Sequence, residues 1–152
     1  MPEDARPMRD LPEFDLSRFL PYRMTVAAER LSAGMARRYR AEFGISVAEW
    51  RVLVHLADGG EVSIRDLEAR VNLEKSKASR AAARLAADGY VTKVPNAQDR
   101  RLVSLSLSDK GRALMADLIP RALAFQERLD RLLAAERAAL DAALDAILTE
   151  DL

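Results

Sequence analysis

The sequence predicts a mainly α-helical protein with one small β-hairpin, and three observations carry that expectation. Apolar residues recur at spacings of three and four over most of the 152 residues. The exception is the run Asp99-Arg100-Arg101-Leu102-Val103-Ser104-Leu105-Ser106-Leu107-Ser108-Asp109-Lys110-Gly111, which passes from a charged turn through an alternating strand into a helix cap. Just before it lies a helix with a cationic stripe. A basic hairpin beside a basic helix is the layout of a winged helix-turn-helix, a shape that suits two adjacent grooves of duplex DNA.

Composition narrows the class. The chain is 49% hydrophobic but only 5% aromatic, so one core built mainly of Leu, Val, Ile and Ala is expected. It has no cysteine, which excludes disulfides, thiolate metal sites and thiol redox sensing. Its apolar runs are far shorter than a membrane span. Residues 1–15 are acidic, polar and proline-bearing, unlike a signal peptide, and read as a loosely held arm. A soluble, cytoplasmic protein is expected. Net charge is zero, yet seven cations stand against two anions between Lys75 and Arg101. A local basic face on a neutral chain keeps phosphate contacts while limiting indiscriminate attraction to polyanions.

Taken in order, the first helix opens near Asp15, a good N-cap. It carries Leu16, Leu20, Met24, Ala27, Leu31, Met35 and Tyr39 on one face and stops at Gly44. Pro21 implies a kink or a short leading helix. Ser46-Val47-Ala48-Glu49 is a capping box for a second helix with Trp50, Leu53, Val54 and Ala57 inward, ended by Asp58-Gly59-Gly60. Ser63 caps a short third helix with Ile64, Leu67 and Val71 buried, and Asn72-Leu73 makes the turn.

The fourth helix is expected from about Glu74 to Asp88, with Gly89 as its stop. At 100° per residue, Ala78, Ala81, Ala82 and Leu85 gather on one side. Ser76, Arg80 and Ala83 lie opposite, flanked by Lys77, Arg84 and Ser79. Small residues let such a helix sink into a groove about 12 Å wide. Lys75, Lys77 and Arg80 have no acidic residue four positions away, unlike the cations of a salt-bridged surface helix. Tyr90–Val94 and Leu102–Leu107 read as strands joined by Pro95-Asn96-Ala97-Gln98, with Val103, Leu105 and Leu107 inward. Asp99 can hydrogen-bond local amides or hold an arginine in place. The DNA-contact candidates are Lys75, Ser76, Lys77, Ser79, Arg80 and Arg84 on the helix, and Asp99, Arg100 and Arg101 on the hairpin.

The remainder is helical. Ser108 caps a segment bearing Leu114, Leu118, Ala122, Phe125, Leu129 and Leu132, bent at Pro120, and Ala134–Leu148 adds another apolar stripe. A small winged core cannot cover apolar helices at both ends, so a second copy is the natural cover. The division expected is an arm at 1–15, dimerisation helices at 16–45 and 109–152, and a winged helix-turn-helix at 46–108.

Nothing suggests catalysis or a cofactor. His55 is the only histidine, and with no cysteine beside it a zinc site is not expected. Neither a G-x-x-x-x-G-K-[ST] loop nor G-x-G-x-x-G occurs.

Asp99-x-Arg101 followed by Leu105-x-Leu107-Ser108-x-x-Gly111 resembles the D-x-R…L-x-L-T-x-x-G pattern of the MarR family of bacterial transcription regulators, with Ser108 where Thr is usual. Ser79-Arg80…Leu85…Gly89-Tyr90-Val91 is similar to that family's recognition helix and following strand, and Glu49-Trp50-Arg51-Val52-Leu53 to its second helix. The likeness runs from about Leu20 to Leu148. Glu74 departs from the usual Ser or Asp cap, and the acidic residue common after the wing proline is missing. The resemblance implies a homodimer built from the terminal helices, the fourth helix in the major groove and the wing in the minor groove. Arg101 matches the wing arginine and Asp99 its supporting acid. It also implies a small aromatic or phenolic effector between the dimerisation helices and the winged domain, for which Tyr22, Arg23, Trp50 and Arg51 are suited. The combined reading is a repressor on a pseudo-palindromic operator. The alternatives are an architectural DNA-binding protein without an effector, and a helical interaction module whose basic patch meets an acidic protein.

Overall fold

The computed structural model describes residues 10–71, 73–96 and 98–152. The elements are a 3-10 turn at Leu16–Arg18, then α1 (Leu20–Phe43), α2 (Val47–Gly59), β1 (Val62–Ser63), α3 (Ile64–Arg70), α4 (Lys75–Ala87), β2 (Val91–Pro95), β3 (Val103–Leu107), α5 (Asp109–Leu132) and α6 (Arg137–Thr149). The chain divides into two compact units after Gly34. Among the described residues, no helix is long and apolar enough to cross a membrane.

In the first unit Asp15 does cap, but it caps the 3-10 turn, accepting from the Ser17 amide at 3.0 Å. Of the two expectations for Pro21, the short leading helix is the one found, as the 3-10 turn Leu16–Arg18; Pro21 itself falls in the first turn of α1, where its missing N–H costs nothing. Phe14 and Phe19 meet edge to face at 5.1 Å. None of residues 10–34 is buried, and Leu16, Phe19, Leu20 and Leu31 are exposed.

The second unit holds the core. Three serines start three of its helices in the same way. The Oγ atoms of Ser46, Ser63 and Ser108 accept from the amides of Glu49, Asp66 and Gly111 at 3.1, 3.1 and 3.0 Å. Each such cap contributes about 1 kcal/mol. Met35, Ala36 and Tyr39 of α1, Leu67 of α3, Ala78, Ala81, Ala82 and Leu85 of α4, and Leu114, Met115 and Leu118 of α5 close around α2 and β3. The first half of α5 is thus part of the winged core.

Four expectations change. On α2 the buried residues are Glu49, Val52, Leu53 and Leu56, not Ala57, because these follow the i, i+3, i+4, i+7 stripe. Trp50 lies at the stripe's edge and is half-buried. The sheet has three antiparallel strands, in the order β1-β3-β2, rather than a lone hairpin. Val62 pairs with Leu105 and Ser63 with Ser104. That central position buries Ser104 completely, against the expected alternation, while Val103, opposite Pro95 toward the tip, is exposed. The strands begin at Val91 and Val103, and the last helix begins at Arg137 rather than Ala134. Arg137 bonds both Asp130 and Asp141, tying that start to the end of α5. Pro120 lies inside α5, which continues to Leu132. The expected turn residues Asn72 and Ala97 and residues 1–9 of the arm lie outside the described residues.

Candidate nucleic-acid interface

The candidate surface starts from the alanines of α4. Ala78, Ala81, Ala82 and Leu85 are buried, so the opposite side must face solvent. It presents Lys75, Ser76, Lys77, Ser79, Arg80, Ala83 and Arg84, all exposed. The four cations make no ion pair among the described residues. Glu74 stands at the cap position without a side-chain bond, but its carbonyl accepts from Lys77 and Ala78. At the other end Gly89, at φ +81°, turns the chain, and the Tyr90 amide closes on the Leu85 carbonyl at 2.9 Å.

That turn is fastened to α5. Ser108 Oγ donates to the Gly89 carbonyl at 2.5 Å, and Lys110 Nζ donates to that of Asp88 at 2.7 Å. The same ammonium lies 4.6 Å from the centroid of the Tyr90 ring. The C-terminus of α4 is therefore held by the head of α5.

Asn96 organises the wing tip. Its Oδ1 accepts from the amides of Gln98 and Asp99 at 2.9 and 3.1 Å, and its Nδ2 donates to Ser104 Oγ at 2.9 Å. Asp99 then takes Arg101 by both carboxylate oxygens. Arg101 Nε donates to Oδ1 at 3.1 Å and Nη2 to Oδ2 at 3.3 Å, and the Arg101 amide also reaches Oδ1. The pair holds the Asp99 carboxyl below the usual aspartate range, with Arg65 of α3 adding a smaller pull. The Arg101 side chain remains 90% exposed although it is braced. Arg100 is exposed and makes no ion pair among the described residues.

Sequence reasoning treated Asn96 only as turn chemistry; the signal available was an Asn at a hairpin, a residue able to bond its own backbone two residues on. It also passed over Arg40. This side chain joins Lys77, Arg80 and Arg84 around a cleft of about 570 Å³, closed by Ser46, Val47, Ala48 and Ala83.

Two of the four effector candidates belong to the first unit and two to the second. In the first unit Tyr22 and Arg23 line a shallow hollow of about 390 Å³ with Ser17, Val26, Ala27 and Arg30. In the second unit Trp50 and Arg51 are neighbours on α2. The Trp50 ring stacks on buried Tyr39 at 5.2 Å and 19°, and burial pushes the Tyr39 hydroxyl pKa up. Among the described residues, no cluster of three or more His, Cys, Asp or Glu could hold a metal ion.

A small three-stranded sheet, a basic helix following a capped short helix, and a braced arginine on a hairpin define a winged helix-turn-helix protein. The chain belongs to the MarR family, whose model matches residues 43–102. A MarR family transcriptional regulator from Silicibacter pomeroyi DSS-3 is 32% identical, with a TM-score of 0.75 over 89% of this chain and 99% of that one. BpsR of Bordetella bronchiseptica, whose DNA binding is regulated by 6-hydroxynicotinic acid, has the same fold, with a TM-score of 0.78 at 23% identity over 92% of this chain and 100% of its own. The HTH-type transcriptional regulator BilQ of Clostridioides difficile strain CD3 is 29% identical over 66 residues, which are 43% of this chain and 45% of BilQ, so the match spans under half of that relative. The protein is therefore a transcription regulator, not an enzyme.

Proposed function

We infer that the protein is a homodimeric repressor that binds a pseudo-palindromic DNA operator and is released by a small aromatic or phenolic anion. The observation that carries this reading is the outward face of α4, where short side chains are rimmed by Lys75, Lys77, Arg80 and Arg84 with no acidic partner among the described residues. Phosphate oxyanions are the complement of such a face, and Ser76 and Ser79 are short enough to bring the helix onto base edges. Arg101, with Arg100 beside it, serves the minor groove, where a pre-set guanidinium loses less freedom on entry.

The division of labour follows the chain. Residues 46–108 read DNA, while residues 16–45 and 109–152 pair two copies. The apolar stripe of α6 supports the pairing, since no α6 residue is buried and Leu148 is 79% exposed. The hollow at Tyr22, Arg23 and Arg30 supports the effector class, because guanidinium groups take a carboxylate and the phenol ring takes an aromatic face. The control of BpsR by 6-hydroxynicotinic acid is in keeping with that chemistry. Work on chromosomal DNA sets the place of action in the cytoplasm.

The test is selection from a random duplex library, followed by footprinting and titration at several salt concentrations. Two protected half-sites one helical turn apart, bound less tightly as salt rises, are expected. Binding with no salt dependence, or a single unpaired site, would overturn the reading.

A further inference from the structure

The cleft beside α4 adds Arg40 and the start of α2 to the α4 cations, and the reading above uses neither. Four cations line it, Arg40, Lys77, Arg80 and Arg84, and no carboxylate does. The nearby Glu49 is buried and its Oε1 accepts from Ser46 Oγ at 2.8 Å, so its charge is turned into the protein. One wall is the start of α2. There Ser46 Oγ takes the Glu49 amide and the Ser46 carbonyl takes the Trp50 amide, while those of Val47 and Ala48 have no acceptor among the described residues. Amides of this kind and the positive end of the helix dipole add to the field of the four side chains. Arg40 is exposed and makes no ion pair among the described residues. It comes from α1, outside the helix-turn-helix, yet it meets the flank of the recognition helix.

We propose that this cleft holds a backbone phosphate of the DNA strand bordering the groove that α4 enters, with Arg40 as its anchoring cation. Like-charged groups around one concavity repel until an anion enters. A phosphodiester meets that need in the one place a DNA-bound α4 would bring it. Lys77 and Arg84 then face the phosphate from α4, and the α2 amides face it from below. A phosphate gripped between α1, α2 and α4 fixes how deep and at what tilt the recognition helix lies. Arg40 is on this account a positioning contact that reads no base.

The proposal rests on the DNA-binding reading, and its test separates the two. Arg40→Gln, Arg80→Ala and wild type are titrated, over a range of salt, on a duplex selected by the wild type, and ethylation interference is mapped for each. Arg40→Gln is expected to keep the sequence preference. Its plot of log affinity against log salt should be shallower by about 0.9, a loss of roughly eightfold at 0.1 M salt. Ethylation of one phosphate flanking each half-site should weaken the wild type but not this variant. An unchanged slope and ethylation pattern for Arg40→Gln, with Arg80→Ala impaired, would overturn the cleft proposal and leave the DNA reading standing. If neither variant changed binding, both would fall.

Discussion

Gly111 lies so close to Tyr90 that a Cβ at position 111 would stand 2.0 Å from the Tyr90 carbonyl oxygen. The obstacle is backbone, which cannot swing aside. The same carbonyl accepts from the Ser108 amide at 3.0 Å, so moving it also breaks the start of α5. Gly111→Ala is expected to destabilise the protein by about 2–4 kcal/mol. Gly89→Ala, at φ +81° but with its Cβ meeting only the Lys110 side chain at an ordinary contact distance of 3.8 Å, is expected to cost only about 1 kcal/mol. Urea unfolding of both variants checks the order; an undisturbed midpoint for Gly111→Ala would show that the contact is not tight.

The Asp99–Arg101 brace makes a prediction about DNA and pH together. Arg101→Ala should lose affinity, most on operators with A·T-rich flanks, and Asp99→Asn should show a milder form of the same defect. Because Arg101 lowers the Asp99 pKa, the carboxylate stays charged above that depressed value, and the brace is lost only as pH falls through it. The affinity ratio of wild type to Asp99→Asn should therefore stay level from pH 8 to pH 5. A ratio that collapses within this window would detach the brace from the carboxylate. Equal losses for Arg101→Ala on A·T and G·C flanks would reduce that residue to a plain phosphate contact.

On α4, charge and specificity should separate. Arg80→Ala is expected to weaken binding to every duplex and to reduce the salt slope by about one. Ser79→Ala should leave the slope alone and relax preference at one base pair by about 1–3 kcal/mol. Anisotropy titrations against a panel of single-base variants measure both, and a sequence-selective loss from Arg80→Ala would reassign it to base reading.

The apolar end of the chain predicts assembly. Leu140, Leu144, Ile147 and Leu148 share one stripe of α6, and no α6 residue is buried within the chain. Leu148→Glu should shift a dimer toward monomer in sedimentation equilibrium at micromolar concentration, with the helical content retained. A wild type that sediments as a monomer there would sink the dimer outright.

How much of this was legible beforehand depended on the kind of signal. The inward alanines of α4, the three serine caps and the Asp99–Arg101 pair were readable because each is a local pattern whose spacing fixes its geometry. β1 was not, since two residues have no period and Ser63 serves both as strand end and helix cap. Ser104 read as outward because alternation says nothing of a third strand or of Asn96 reaching across the hairpin. Arg40 was invisible for a similar reason: its cationic neighbours in the cleft, on α4, lie about forty residues away in sequence, and only packing brings them together.

The underside of α4 sets how the protein can change. Methyl groups at Ala78, Ala81 and Ala82 hold the helix close to the core, and Leu85 is the one bulky peg. Any larger residue at those alanines would lift the helix like a shim and alter its depth in a groove. The solvent side has no such duty, since Ser76, Ser79 and Ala83 are exposed and pack on nothing that the fold needs. On the DNA-binding reading proposed above, retargeting to a new operator is a matter of rewriting three small surface residues. Such rewrites should move the preferred sequence while leaving the unfolding midpoint where it was, which makes this helix an interchangeable key on a fixed shank.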